Sequence, residues 1–200
     1  MPLPKPDHCR VVAQQISQCE LCAEQLPLPP TPLVQFGGAA RILVIGQAPG
    51  KLAHQHQKLW SDPSGDRLRL WLQLSTEQFY NPDLVALVSM AFCYPGKAGS
   101  GDKAPPAVCS ERWHHKVLPL LQPKLTLLVG RYAQQKYLPE YRQLTLTELV
   151  QQQPATGRNI LALPHPSPRN NIWLSKNPWF EEVTLPLIRQ KITASLMETD

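Results

Sequence analysis

Two segments, GQAPG (46–50) and HPSPRN (165–170), hold residue types that can build a reaction site. Gly46 and Gly50 let a backbone approach a substrate closely, Pro49 stiffens the turn, and the amides near Gln47 and Ala48 can donate hydrogen bonds. The plain alternative is an ordinary strand-to-helix loop. His165 lies between Pro164 and Pro166, so its backbone is constrained on both sides. A histidine fixed in this way can donate a hydrogen bond to negative charge developing on a leaving group. Ser167, Arg169 and Asn170 are natural phosphate contacts; a rigid surface turn is the competing reading. In KLWSDPSGDRL (58–68), Trp60 can stack on a planar ring and Asp62 can orient water or offset a cationic centre. The ordinary roles there are a core tryptophan and a helix-capping aspartate.

The cysteines give a second pattern. Cys19 and Cys22 form CxxC, followed by Cys93 and Cys109, with Cys9 left over. Four thiolates suit an iron–sulfur cluster or a structural zinc ion; four unrelated core cysteines are the alternative. Between Cys93 and Cys109 runs KAGSGDK, in which Lys97 and Lys103 flank flexible glycines. It reads as a loop that tracks a phosphate backbone or simply faces solvent. His54 and His56 lack a matched carboxylate and carry little metal-binding weight.

These segments need elements to hold them. RILVIG (41–46), LVALVSMAF (84–92), LTLLVG (125–130) and NILALP (159–164) read as four buried strands. DRLRLWLQL (66–74), Cys109 to Leu121, RYAQQKYL (131–138) and WFEEVTLPLIRQKITASL (179–196) read as helices, the last despite Pro186. Residues 6–18 add a short helix with Val11, Val12 and Ile16 on one side. Strands that are apolar throughout and alternate with helices predict a parallel sheet covered on both faces, with ligands at the C-terminal strand ends. GQAPG, the cysteine loop and HPSPRN all fall at such ends. The expected fold is therefore α/β, a three-layer α/β/α arrangement around a central four-stranded, mainly parallel sheet. Residues 1–200 read as one domain, with 1–40 as a helix-plus-CxxC appendage that docks on it.

Composition narrows the classes. The 200 residues are 42% hydrophobic, enough for a core and a formed pocket. Twenty Lys and Arg against 15 Asp and Glu give a formal charge of +5, compatible with a polyanionic partner. No stretch approaches the roughly 20 apolar residues of a membrane span, and the N-terminal residues lack a signal-like apolar run. The expectation is a cytoplasmic protein, a monomer, with no membrane partner.

Taken together in order and spacing, GQAPG, the Trp60-to-DPSG segment, the four cysteines and HPSPRN resemble the uracil-DNA glycosylase superfamily, closest to its iron–sulfur branches, families 4 and 5. The resemblance runs from about Cys19 to the C-terminal helix. It implies a uracil-DNA glycosylase-like fold and a DNA N-glycosylase, a hydrolase of base excision repair acting on DNA that contains a deaminated base. It also implies that Cys19, Cys22, Cys93 and Cys109 hold a [4Fe-4S] cluster, with zinc the lesser alternative. Trp60 takes the place of the aromatic that stacks on the flipped base, and His165 that of the histidine bonding the base carbonyl. Asp62 matches the family 5 aspartate of a DxSG-like segment and becomes the preferred catalytic carboxylate.

Three positions depart from the family pattern. Gln47 replaces an acidic residue, Ala48 stands where the best-known members carry a catalytic Asp or Asn, and Ser89 falls where an Asn reads the edge of uracil. The resemblance therefore admits a wider range of deaminated bases, including hypoxanthine. Gln47, Ala48, Trp60, Ser89 and His165 are the base-binding candidates, and Gln47, Asp62 and His165 the catalytic ones. Lys97, Lys103, Ser167, Arg169, Asn170 and Trp173 are the DNA-contact candidates, with Ile172, Trp173 or Leu174 available as a wedge. A catalytically silent, damage-sensing member of the same fold is the second expectation, and an unrelated hydrolase with structural zinc the third.

Overall fold

In the computed structural model, residues 5–152 and 159–197 are described. Four strands form one parallel sheet: β1 (Ile42–Ile45), β2 (Val85–Leu87), β5 (Leu125–Val129) and β6 (Ile160–Leu163), in spatial order β2-β1-β5-β6. β1 lies centrally, with Ile42 opposite Val85 on one side and opposite Leu125 on the other. All four residues of β1 and all three of β2 are buried, so side chains on both faces are covered. The expected α/β architecture is therefore present, with every strand pair parallel.

The covering helices are short. α1 (Lys5–Ser17) packs on α5 (Ala107–Val117), with Ile16 fully buried. α2 (Lys51–His56) and α3 (Pro63–Leu72) follow GQAPG, and α4 (Thr76–Phe79) precedes β2. α6 (Arg131–Tyr137) packs on β5, and α7 (Leu146–Gln152) on β6. α8 (Asn171–Lys176) follows HPSPRN, and α9 (Leu185–Met197) lies against α3, β1 and β5. Among the described residues, no helix is long and apolar enough to cross a membrane.

Three sequence expectations are corrected. The strand expected over 84–92 pairs only at Val85–Leu87. Beyond it the chain stays buried but bends around the GQAPG loop, with Met90 N–H donating to the Gly46 carbonyl and Ala91 N–H to that of Gln47. The helix expected over 179–196 starts as a π-helical turn, Phe180–Thr184, and becomes α-helical at Leu185. Pro186 has no N–H for an i→i−4 bond, and the widened turn absorbs that missing donor. The supposed flexible loop KAGSGDK is a small antiparallel hairpin of β3 (Lys97–Ala98) and β4 (Gly101–Asp102), with Lys97 opposite Asp102. Gly99, with φ +55°, supplies the left-handed residue its tip needs.

Candidate active site

At the C-terminal ends of β1, β2 and β6, a cavity of about 610 Å³ opens to solvent. Its lining includes Gln47, Ala48, Trp60, Asp62, Ser89 and His165, so six candidates from four separate segments meet in one place. Helix–sheet geometry accounts for this: parallel strands end on one edge, and the loops after them converge there.

The turn at 59–65 sets both the aromatic and the acid. Trp60 has φ +56°, a left-handed conformation uncommon for a bulky residue. Its carbonyl accepts from Arg69 Nη1 at 3.1 Å and lies 3.1 Å from the Tyr80 hydroxyl, which shares its one proton with the Leu59 carbonyl at 2.9 Å. Gly65 is required beneath it, because a Cβ there would sit 1.7 Å from the Trp60 oxygen. The indole lies over Gly46, whose Cβ would come within 2.9 Å of Cζ2, and its ring centre is 5.8 Å from that of His165. Asp62 is the N-cap of α3, its Oδ1 accepting from Gly65 N–H at 2.9 Å. The other oxygen, Oδ2, faces Gly50. The capping and functional readings of Asp62 are thus compatible, one oxygen for each.

His165 is half-buried, and burial lowers its pKa from the usual histidine range, opposed by the nearby charges of Asp62 and Asp102. Lowering favours the neutral ring at neutral pH, with one N–H to donate. Asn170 Nδ2 donates to the His165 carbonyl at 2.6 Å. That amide, expected at phosphate, instead ties the loop to itself. Arg67, which the sequence reading passed over, bonds the Ser167 carbonyl at 3.2 Å and Asn171 Oδ1 at 2.8 Å, anchoring the loop to α3.

Ser89 is buried, and its Oγ lies 3.5 Å from the Cβ position of Gly46. Its carbonyl accepts from His114 Nε2 at 2.9 Å, while His114 Nδ1 meets the Tyr137 hydroxyl. The Gln47 amide donates to the Lys103 carbonyl at 3.2 Å, joining the cradle to the hairpin. Lys97, Lys103 and Arg169 are exposed; Lys97 and Arg169 line the cavity, and Lys97 Nζ is paired to Asp102 Oδ1 at 2.8 Å. Trp173 is half-buried: its Nε1 donates to Thr147 Oγ1 at 3.0 Å and its ring packs edge-on against Trp179 and Phe180. An aromatic with three such partners is a packing residue, and Ile172, 69% exposed beside it, is the projecting side chain.

Cys19, Cys22, Cys93 and Cys109 line one narrow cavity walled by Leu26, Pro30, Pro32, Ala91, Phe92 and Pro106. All four are free thiols, and Cys9 is buried separately in the core. Phe92 N–H donates to Cys109 Sγ and Trp113 Nε1 to Cys19 Sγ, both at 3.3 Å. Burial pushes Cys93 up to about 11 and Cys109 up to about 12. Among the described residues, no three His, Cys, Asp or Glu side chains converge closely enough to hold a single metal ion.

The sequence reading missed Asp102, which lines the main cavity, because nothing in KAGSGDK marks the hairpin register that turns it inward. Comparison with known proteins bears on the whole arrangement. A solution NMR structure of a candidate uracil DNA glycosylase from Methanosarcina acetivorans is similar at 18% identity and a TM-score of 0.43, over 80% of this chain and 98% of that one. At that level it adds nothing to the assignment, which rests on the family model. The model of the uracil DNA glycosylase superfamily matches residues 34–189, most of the chain including every segment of the cavity, and the protein belongs to that superfamily.

Proposed function

We propose that this protein hydrolyses the N-glycosidic bond of uracil in DNA, and of related deaminated bases such as hypoxanthine, as the first step of base excision repair. The observation that carries the reading is the cavity in which a left-handed Trp60, the Oδ2 of Asp62 and a half-buried His165 meet over the GQAPG backbone.

Duplex DNA hides the bond to be cut, so the nucleotide must leave the stack, at a cost of a few kcal/mol. The Trp60 indole supplies a stacking surface worth roughly 1–3 kcal/mol towards that cost. Ile172, 69% exposed, would fill the gap left in the duplex, and the exposed Lys97, Lys103 and Arg169 would meet phosphates. As the C1′–N bond breaks, its electron pair departs with the base. The neutral His165 ring and the amides near Gln47 and Ala48 stabilise that anion by donating hydrogen bonds. Asp62 Oδ2 orients water towards C1′ and receives its proton as the C1′–O bond forms. Ser89 contributes one rotatable hydroxyl to the base edge, where an amide would offer fixed donors and acceptors, which favours a broad range of bases.

Cys19, Cys22, Cys93 and Cys109 would hold the [4Fe-4S] cluster, whose contribution is structural, cross-linking the CxxC segment to the hairpin loop. The two N–H···S hydrogen bonds suit thiolates of such a cluster. The protein would act in the cytoplasm as a monomer.

The test is base release from duplexes containing uracil or hypoxanthine. Asp62→Ala and His165→Ala are each expected to slow release at least a hundredfold. Binding to lesion DNA with no release from any base would select the silent, damage-sensing alternative, and colourless protein with stoichiometric zinc would replace the cluster assignment.

A further inference from the structure

The hairpin between Cys93 and Cys109 brings a second carboxylate to the cavity. Asp102, on β4, faces its partner Lys97 across the two-strand register, and Lys97 Nζ lies 2.8 Å from Asp102 Oδ1. That ion pair holds one carboxylate oxygen. The other, Oδ2, lies 3.8 Å from the position a Cβ would take on Gly50. Asp62 Oδ2 lies 4.0 Å from the same position, so the two oxygens are less than about 8 Å apart. Each aspartate is anchored through Oδ1, by Gly65 N–H or by Lys97, and each turns Oδ2 towards Gly50, where no side chain intervenes.

The hairpin lies between the two loops, bonded to one and beside the other. Gln47 donates to the Lys103 carbonyl, and Arg169 Nη1 lies 3.2 Å from the Cβ position of Gly101, so β4 bridges the GQAPG and HPSPRN loops. Both aspartates act on His165 through their charges, which places all three groups within one electrostatic neighbourhood.

We infer that Asp102 is a second catalytic carboxylate, facing the reacting sugar and its water from the hairpin side while Asp62 faces them from the helix side. The inference rests on the glycosylase reading above. Hydrolysis of a glycosidic bond passes through a positively charged sugar, and two carboxylates commonly flank that centre in glycoside cleavage. In this arrangement Asp62 takes the water proton as the C1′–O bond forms. The Asp102 carboxylate offsets the charge on C1′ while the electron pair leaves with the base. Lys97 holds Asp102 in place through the 2.8 Å contact to Oδ1.

Single-turnover release of uracil from duplex DNA, with affinity for an abasic-analogue duplex measured alongside, tests the assignment. Asp102→Asn is expected to slow release at least tenfold while affinity stays the same or rises, since a negative charge near the phosphates has been removed. Asp102→Glu should recover part of the rate. Asp102→Asn combined with Asp62→Asn should cost less than the product of the single losses if the pair acts as a unit. If Asp102→Asn does not fold, Asp102→Ser carries the same expectation. An active wild type whose variant stays within threefold, or loses rate and affinity equally, overturns this inference alone. A wild type that releases no base overturns the glycosylase reading and this inference with it.

Discussion

His114 should make the protein acid-sensitive in a defined window. It is 3% exposed, donates from Nε2 to the Ser89 carbonyl and receives the Tyr137 hydroxyl proton at Nδ1, stacked between Phe92 and Tyr137. Burial lowers its pKa from 6.5 to about 4, with the nearby charge of Lys136 acting in the same direction. A histidine with a lowered folded pKa contributes stability that is fully present above its unfolded value and is lost as pH falls through the folded one. Between pH 6.5 and 4 the unfolded chain takes up a proton that the folded chain refuses, at about 1.4 kcal/mol per pH unit. From pH 7 to pH 5 this amounts to about 2 kcal/mol, and to about 3 kcal/mol by pH 4. Urea denaturation of the wild type and of His114→Gln at pH 7 and pH 5 isolates it, because the other titrating groups cancel in the double difference. The wild type should lose about 2 kcal/mol more than the variant across that interval. Equal losses would refute the assignment of a neutral, buried His114. Because the ring holds the Ser89 carbonyl, acid loss of base release should precede global unfolding.

Other substitutions separate stability from chemistry. Gly65→Ala should cost 2 kcal/mol or more in thermal or urea denaturation, since its Cβ meets the Trp60 carbonyl at 1.7 Å and backbone must move to admit it. Gly50→Ala meets only contacts of 3.8 and 4.0 Å, so its melting temperature should change little, yet the methyl group enters the space between the two carboxylates and should slow base release at least tenfold. Ile172→Ala, at a site 69% exposed, should leave stability within about 0.5 kcal/mol and slow release from duplex DNA more than from single strands.

How much of this was legible in the sequence follows from the range of the interactions involved. RILVIG, LTLLVG and NILALP are short apolar runs whose burial on both faces leaves one solution, and they became β1, β5 and β6 within a residue or so at each end. SMAFC is equally apolar but is bent by hydrogen bonds to Gly46 and Gln47, partners more than 40 positions away. Composition cannot register such a constraint. Asp62 and His165 were readable because their own neighbours, DPSG and PHPSP, set the local backbone. Asp102 was not, since its inward direction depends on pairing with Lys97 across Gly99. The packing of Trp173 was not legible for a related reason: its partners Thr147 and Phe180 lie on other elements.

The most consequential of these long-range dependencies joins the aromatic platform to the acid. Holding Trp60 at φ +56° costs on the order of 1–3 kcal/mol, and such strain persists only where surroundings over-determine it. Here they do so through Arg69, itself paired to Asp66 at 2.5 Å, through Tyr80, and through the absence of a side chain on Gly65. The same Gly65 supplies the N–H that fixes Asp62 Oδ1 and thereby aims Oδ2 at the cavity. Platform and carboxylate are consequently two ends of one turn. A change that relaxed Trp60 towards ordinary backbone would swing Asp62 with it. On the proposed glycosylase reading, the cap at Oδ1 supplies the rigidity that catalysis by the single free oxygen, Oδ2, requires.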